Sequence, residues 1–141
     1  MARLELSRNV KKFVDISLAF EANPVTGDLS LLKDERAINN AIKNIILTAP
    51  GEKPFDRDYG SRVGDYLFDL VDVGTAGLLK LEIERAIKFN EPRVDLQDVQ
   101  VSANPAQDQF DVRVEYKIVG YDQVFTVTHI LRPTRSWTQS K

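Results

Sequence analysis

The feature that most constrains this chain is a change of hydrophobic period at Pro92. Before it, apolar residues recur at intervals of three and four: Ile38, Ala41, Ile42, Ile45 and Ile46, then Leu79, Ile83, Ala86 and Ile87. That spacing lines one face of a helix. After it, apolar residues alternate. Val94 and Leu96, then Val99, Val101 and Ala103, make one run, and Phe110, Val112, Val114, Tyr116 and Ile118 make the clearest. Phe125, Val127, His129 and Leu131 make the last. Period two lines one face of a strand. Helices come first and a meander last, and each must cover the other's apolar face. The expected class is α+β: a short N-terminal strand, then three helices packed on a C-terminal antiparallel β-meander.

The punctuation sets the boundaries. Ile16, Leu18 and Phe20 alternate within a strand over 13–20, and Asn23 to Asp28 is a turn. Asp34 is placed to cap a helix over 35–48, with Asn39, Asn40, Lys43 and Asn44 facing away. Ser61 is placed to cap a short helix over 62–70 that presents Val63, Tyr66, Leu67 and Leu70, with Phe68 beside them. Val71 to Gly74 breaks it, and Thr75 caps a helix over 76–90 whose outer face carries Lys80, Glu84, Arg85 and Lys88. Pro92 ends that helix because it cannot donate to the helical ladder. The parity switch at Gln97-Asp98 predicts a bulge. Turns follow at 104–108 and 120–123. A three-stranded sheet leaves two edges, and edges invite an added strand.

At 141 residues with 43% hydrophobic content, the chain is expected to form one domain over 13–132. A basic arm (1–12) and a basic tail (133–141) flank it. Residues 1–12 and 132–141 each carry +3, so a net charge of −2 leaves −8 on the body. Basic ends on an acidic body point to arms that meet an acidic partner, or to solvated termini. An acidic body argues against nucleic-acid binding. The apolar runs are too short for a membrane span, and charges interrupt the first residues too often for a signal peptide. The expected setting is a cytosol-like compartment.

No reagent stands out. The chain has no cysteine and one histidine, His129, which lies within an alternating strand. No metal, cofactor or catalytic residue is expected. Gly60-Ser61-Arg62-Val63-Gly64 misplaces the serine for a nucleophile elbow, and Gly74-Thr75-Ala76-Gly77 lacks the lysine of a phosphate loop. Glycoside hydrolysis needs two carboxylates across a cleft; Glu52, Asp56, Asp58 and Glu91 lie in or near loops and could supply them, but 21 acids in 141 residues guarantee such candidates by chance.

Two stretches resist a purely structural reading. Pro50-Gly51-Glu52-Lys53-Pro54-Phe55 begins a stiff loop with Phe55 and Tyr59 as aromatic anchors. Asn90-Glu91-Pro92-Arg93 places an acid and a base around a proline at a helix-to-strand junction. Arg93 either pairs within the chain, with Glu52 or Glu91, or meets a partner's carboxylate. The candidate partner-binding residues are Pro50, Gly51, Glu52, Glu91, Pro92 and Arg93.

Leu47-Thr48, Pro50 to Phe55, Asp58-Tyr59-Gly60-Ser61, Leu67-Phe68, Glu91-Pro92-Arg93 and the upstream run Asp15 to Phe20 leading to Asn23–Leu29 together carry a resemblance. Over about 13–132 the chain resembles the wedge, or sheath-initiator, family of contractile-tail baseplates. That family includes relatives in type VI secretion systems and contractile bacteriocins. Lys53 stands where many members have arginine, which keeps the charge.

The resemblance implies a structural subunit of a phage tail baseplate, in the virion, assembled in the host cytoplasm. It implies a ring of six and attachment to the wedge core proteins through Glu91, Pro92 and Arg93. It also implies templating of the tail sheath protein by strand addition. Under that reading Arg93→Ala spares folding and weakens attachment. The family has also carried a lysozyme label, so a lysozyme-like glycoside hydrolase is the alternative. A regulator that binds another protein is a third reading.

Overall fold

The computed structural model describes residues 14–16, 31–33 and 35–133. The elements are β1 (Val14–Ile16), β2 (Leu31–Lys33), α1 (Glu35–Leu47), α2 (Val63–Tyr66), α3 (Val73–Asn90), β3 (Val94–Asn104), β4 (Gln109–Ile118) and β5 (Val124–Leu131). A 3₁₀ turn at Pro105–Gln107 joins β3 to β4. β1 and β2 pair antiparallel, and β3, β4 and β5 form a separate antiparallel sheet in that order. The class is α+β. The expected strand beyond Ile16, the turn at 23–28, the cap Asp34, the arm 1–12 and the tail from Thr134, with Trp137, lie outside the described residues.

The helices meet the sheet through the stripes that their spacing predicts. Ile38, Ile42 and Ile46 of α1 and Leu79, Ile83 and Ile87 of α3 form one buried cluster with the inner face of the sheet. Phe110, Val112, Val114, Tyr116 and Ile118 of β4 all belong to that cluster, so the alternation in β4 is the inner face itself. Burying a large aliphatic or aromatic side chain contributes roughly 1.5–3 kcal/mol, which fixes the strand's facing. α3 lies along β3, and α1 reaches across to β5.

Asn39, expected to face solvent, is half-buried and accepts a hydrogen bond from the Tyr116 hydroxyl. Burial, with Glu35 as the smaller cause, pushes that phenol well above the usual tyrosine range. It therefore stays a donor at neutral pH. The Tyr116 ring stacks on Phe125 with centroids 5.8 Å apart.

Three boundaries differ from the sequence reading. The helix expected over 62–70 stops at Tyr66, and Phe68 and Leu70 stand exposed. A one-turn helix gains few internal bonds for the residues it fixes, and only Val63 of α2 is fully buried, with Tyr66 and then Leu67 half-buried against the same core. Ser61 does not cap that helix. It is buried, its N–H donates to the Thr48 carbonyl at 2.9 Å, and its hydroxyl donates to the Ile46 carbonyl at 2.7 Å. Ser61 thus satisfies the end of α1, while the N-cap of α2, Arg62, makes no side-chain capping bond.

Thr75 is not the cap of α3 either. Asp72 is: its carboxylate accepts from the Thr75 N–H at 2.7 Å, so the expected break at Val71–Gly74 leads straight into the helix. That bond holds the Asp72 carboxyl below the usual aspartate range. A depressed carboxylate stabilises the fold above its unfolded pKa, and the contribution is lost as pH falls through the folded value. Asp72→Ala is therefore expected to lower the thermal midpoint at pH 7. The gap to wild type should narrow below about pH 4. A gap independent of pH, in paired calorimetric scans, would assign the loss to something other than the charged cap.

The bulge lies where the parity switch puts it. Leu96 pairs with Tyr116 and Asp98 with Glu115, leaving Gln97 as the extra residue. Bulges re-aim side chains. Here Asp98 comes within 3.6 Å of Lys80 Nζ on α3.

Candidate interaction site

The loop after α1 has a rigid base and an open tip. Gly60 lies at φ 107°, and a Cβ there would sit 2.2 Å from the Thr48 carbonyl oxygen. Only glycine permits that approach. Asn90, at the end of α3, donates to the Gly60 carbonyl at 3.4 Å and to the Ala86 carbonyl at 2.9 Å. Glu82 accepts from the Arg62 N–H at 2.9 Å and from Arg85 at 2.9 Å, which fixes the start of α2. Between these anchors Pro50, Gly51, Glu52, Lys53, Pro54 and Phe55 are all exposed. Glu52 accepts from the Ala49 N–H at 2.8 Å. Lys53 pairs with Asp56 at 3.2 Å and lies 3.9 Å over the Tyr59 ring. Of the two aromatic anchors, Tyr59 folds under Lys53 while Phe55 points fully into solvent at φ 67°.

At the other stretch, Glu91 is the C-cap of α3 and only 4% exposed. Arg93 forks onto it, Nε to Oε1 at 2.6 Å and Nη2 to Oε2 at 2.7 Å. The intramolecular alternative thus holds, with Glu91 and not Glu52 as the acid. The Arg93 carbonyl accepts from the Val119 N–H at 2.9 Å, which ties the junction to the end of β4. Pro92 is exposed between the paired residues. Asn90 links this junction to the end of the loop, so the two candidate stretches share one framework. Asn90 and Glu82 have no sequence signature for this role; amides and carboxylates on a helix read as solvated.

Of the four carboxylates weighed for hydrolysis, Glu91 is paired with Arg93, Asp56 is paired with Lys53, and Glu52 accepts from the Ala49 N–H.

α3 is apolar on its outer side too: Leu78, Leu81 and Phe89 are 49%, 63% and 70% exposed at helical spacing, flanking the predicted charged residue Arg85. Phe89 comes two residues before Glu91, so this stripe runs into the junction.

Under α1 lies a groove of about 460 Å³ with Arg36 and Lys43 above and Val127 and His129 of β5 below. Burial first, and Lys43 second, hold His129 below the usual imidazole range. No helix of the described residues is long and apolar enough to cross a membrane.

Residues 32–123 match the family described as baseplate wedge protein gp25. The chain belongs to that family. The baseplate wedge protein gp25 of Enterobacteria phage T4 is 33% identical over 90 residues, covering 64% of this chain and 67% of its own. Among solved structures, a protein of Geobacter sulfurreducens described as a candidate tail lysozyme is 27% identical with a TM-score of 0.63, over 70% of this chain and 90% of that one. A chain of the six-fold symmetrised anti-feeding prophage baseplate superposes with a TM-score of 0.60 at 19% identity, covering 91% of each. A chain of the post-contraction pyocin R2 baseplate gives 0.50 at 17%, over 85% of this chain and 98% of its own. The last two establish a shared fold. The chain is thus a baseplate wedge protein of the contractile-tail kind, and the gp25 family is one of structural baseplate proteins.

Proposed function

We propose that this gp25-family chain acts purely by docking, as a non-enzymatic subunit of the baseplate of a phage tail or tail-like particle. It attaches to the wedge core proteins through Glu91-Pro92-Arg93, with the Pro50-Gly51-Glu52 loop alongside. It sits in a ring of six, and it templates the tail sheath by accepting sheath strands at an edge of its sheet. Assembly takes place in the host cytoplasm.

The observation that carries this reading is the doubly apolar α3. A helix that already buries Leu79, Ile83 and Ile87 gains nothing within the domain from Leu78, Leu81 and Phe89 on its solvent side. Exposed apolar stripes of this kind mark protein interfaces. The stripe ends at a junction stiffened by the Glu91–Arg93 fork, so Pro92 is presented in a fixed position. Strand addition supplies main-chain bonding at an edge without requiring a particular side chain.

The test is co-purification with the wedge core proteins of the same particle. Leu81→Asp/Phe89→Asp and, separately, Pro92→Ala should keep the wild-type circular dichroism and melting profile, since these side chains are exposed. The first should weaken association by tenfold or more, the second by less. Undiminished association of both folded variants would refute the placement of the interface.

The likeness to the Geobacter protein favours one second reading, a lysozyme-like hydrolase. Incubation with purified peptidoglycan discriminates: the docking reading expects no release of reducing sugar above a heat-denatured control.

A further inference from the structure

We infer that the groove between α1 and β5 receives an extended, carboxylate-bearing segment of another chain, laid beside β5 as an added strand. This rests on the strand-addition reading above and names the edge and the chemistry of its occupant.

β5 is an edge: among the described residues it pairs only with β4. A strand beside it would extend the sheet beneath α1, with alternate side chains pointing up toward that helix. There they would meet the groove. Its lining includes Arg36, Lys43, Asn39 and Asn40 from α1 and, among the described residues, no acidic one. Its floor offers Val127 and the half-buried His129. Apolar side chains suit the floor, and carboxylates suit the two cations.

The spacing agrees. Arg36 and Lys43 are seven residues apart, about 10.5 Å along the helix. Side chains on one face of a strand recur at roughly 6.8 and 13.6 Å. Acids two or four residues apart are therefore within reach of these long side chains.

The opposite edge has the opposite sign. β3 carries Asp95 and, paired with Lys80, Asp98, so an acidic strand is less favoured there than beside the Arg36 and Lys43 of the groove. The two groove cations, Arg36 and Lys43, disfavour this chain's own basic stretches, which carry +3 over 1–12 and +2 over 133–141. The rival occupant is residues 17–30, which carry Glu21 and Asp28.

The experiment uses the full chain and two synthetic ten-residue peptides of alternating valine and threonine. One carries two glutamates four residues apart on the valine face, the other two lysines. Fluorescence anisotropy should show the glutamate peptide binding at least tenfold tighter than the lysine peptide. Arg36→Glu/Lys43→Glu alters two surface side chains and should reverse that order. Equal affinity for both peptides overturns the charge assignment while leaving strand addition standing. Binding of neither overturns both. Hydrogen exchange of the free chain decides the rival: the β5 amides that do not bond to β4 should exchange freely. If all are protected, the edge is filled by the chain itself and the inference fails.

Discussion

Gly60→Ala is expected to destabilise the fold by at least about 3 kcal/mol, the largest effect of any glycine-to-alanine change among the described residues. The new Cβ would stand 2.2 Å from the Thr48 oxygen and 3.0 Å from its carbonyl carbon. Both are backbone atoms, so no side chain can swing aside. Thr48 also holds the Ser61 N–H, and the adjacent Ile46 carbonyl holds the Ser61 hydroxyl, so a shift there breaks the closure of the loop. Gly51→Ala is the control. It has a similar positive φ of 91° but nothing within 4 Å, and should cost only about 1–2 kcal/mol. Urea unfolding of both variants gives the comparison. Equal losses would mean that dihedral strain alone, and not the approach to Thr48, demands glycine at 60.

The second large effect is at the junction. Arg93→Ala leaves the Glu91 carboxylate, 4% exposed, without the guanidinium that satisfies both its oxygens. Removing one partner of a buried pair is costly because the other charge stays behind. Arg93 keeps 30% of its side chain in solvent, so the loss should be about 2 kcal/mol and not the full 3–5 of a dry site. Glu91→Ala should cost a comparable amount, and the double variant distinctly less than the sum. A coupling of about 1 kcal/mol or more in the double-mutant cycle identifies the pair as one unit. Strict additivity would deny it. Arg93→Ala is thus expected to cost stability as well as attachment, so loss of assembly in that variant does not by itself report a lost contact. Pro92→Ala, exposed and unpaired by charge, is the cleaner probe.

Periodicity carried the frame of this fold because burial enforces it. The stripes of α1 and α3, all five inward residues of β4 and the bulge at Gln97 follow from spacing alone. Pro92 and the acid–base pair around it were equally legible, since covalent geometry and charge are local. The caps were not. Ser61, Asp72 and Thr75 are all chemically fit to cap, and which one does so depends on tertiary partners: the end of α1 claims Ser61, and that leaves α2 uncapped and short. Asn39 was placed outside because an amide on a helix reads as solvated, whereas the Tyr116 hydroxyl makes burial acceptable. The outer stripe of α3 was hidden by the charges between its members.

The bulge has a consequence for how the sequence can drift. Val94 and Leu96 face inward before Gln97, and Val99, Val101 and Ala103 face inward after it. Excising Gln97 would leave an unbroken alternation with every one of those residues still inward. Most single-residue deletions in a strand invert everything beyond them; this one would only straighten the ribbon and release Asp98 from Lys80. The position is a point of slack, where a lineage can lose or regain a residue without rebuilding its interior.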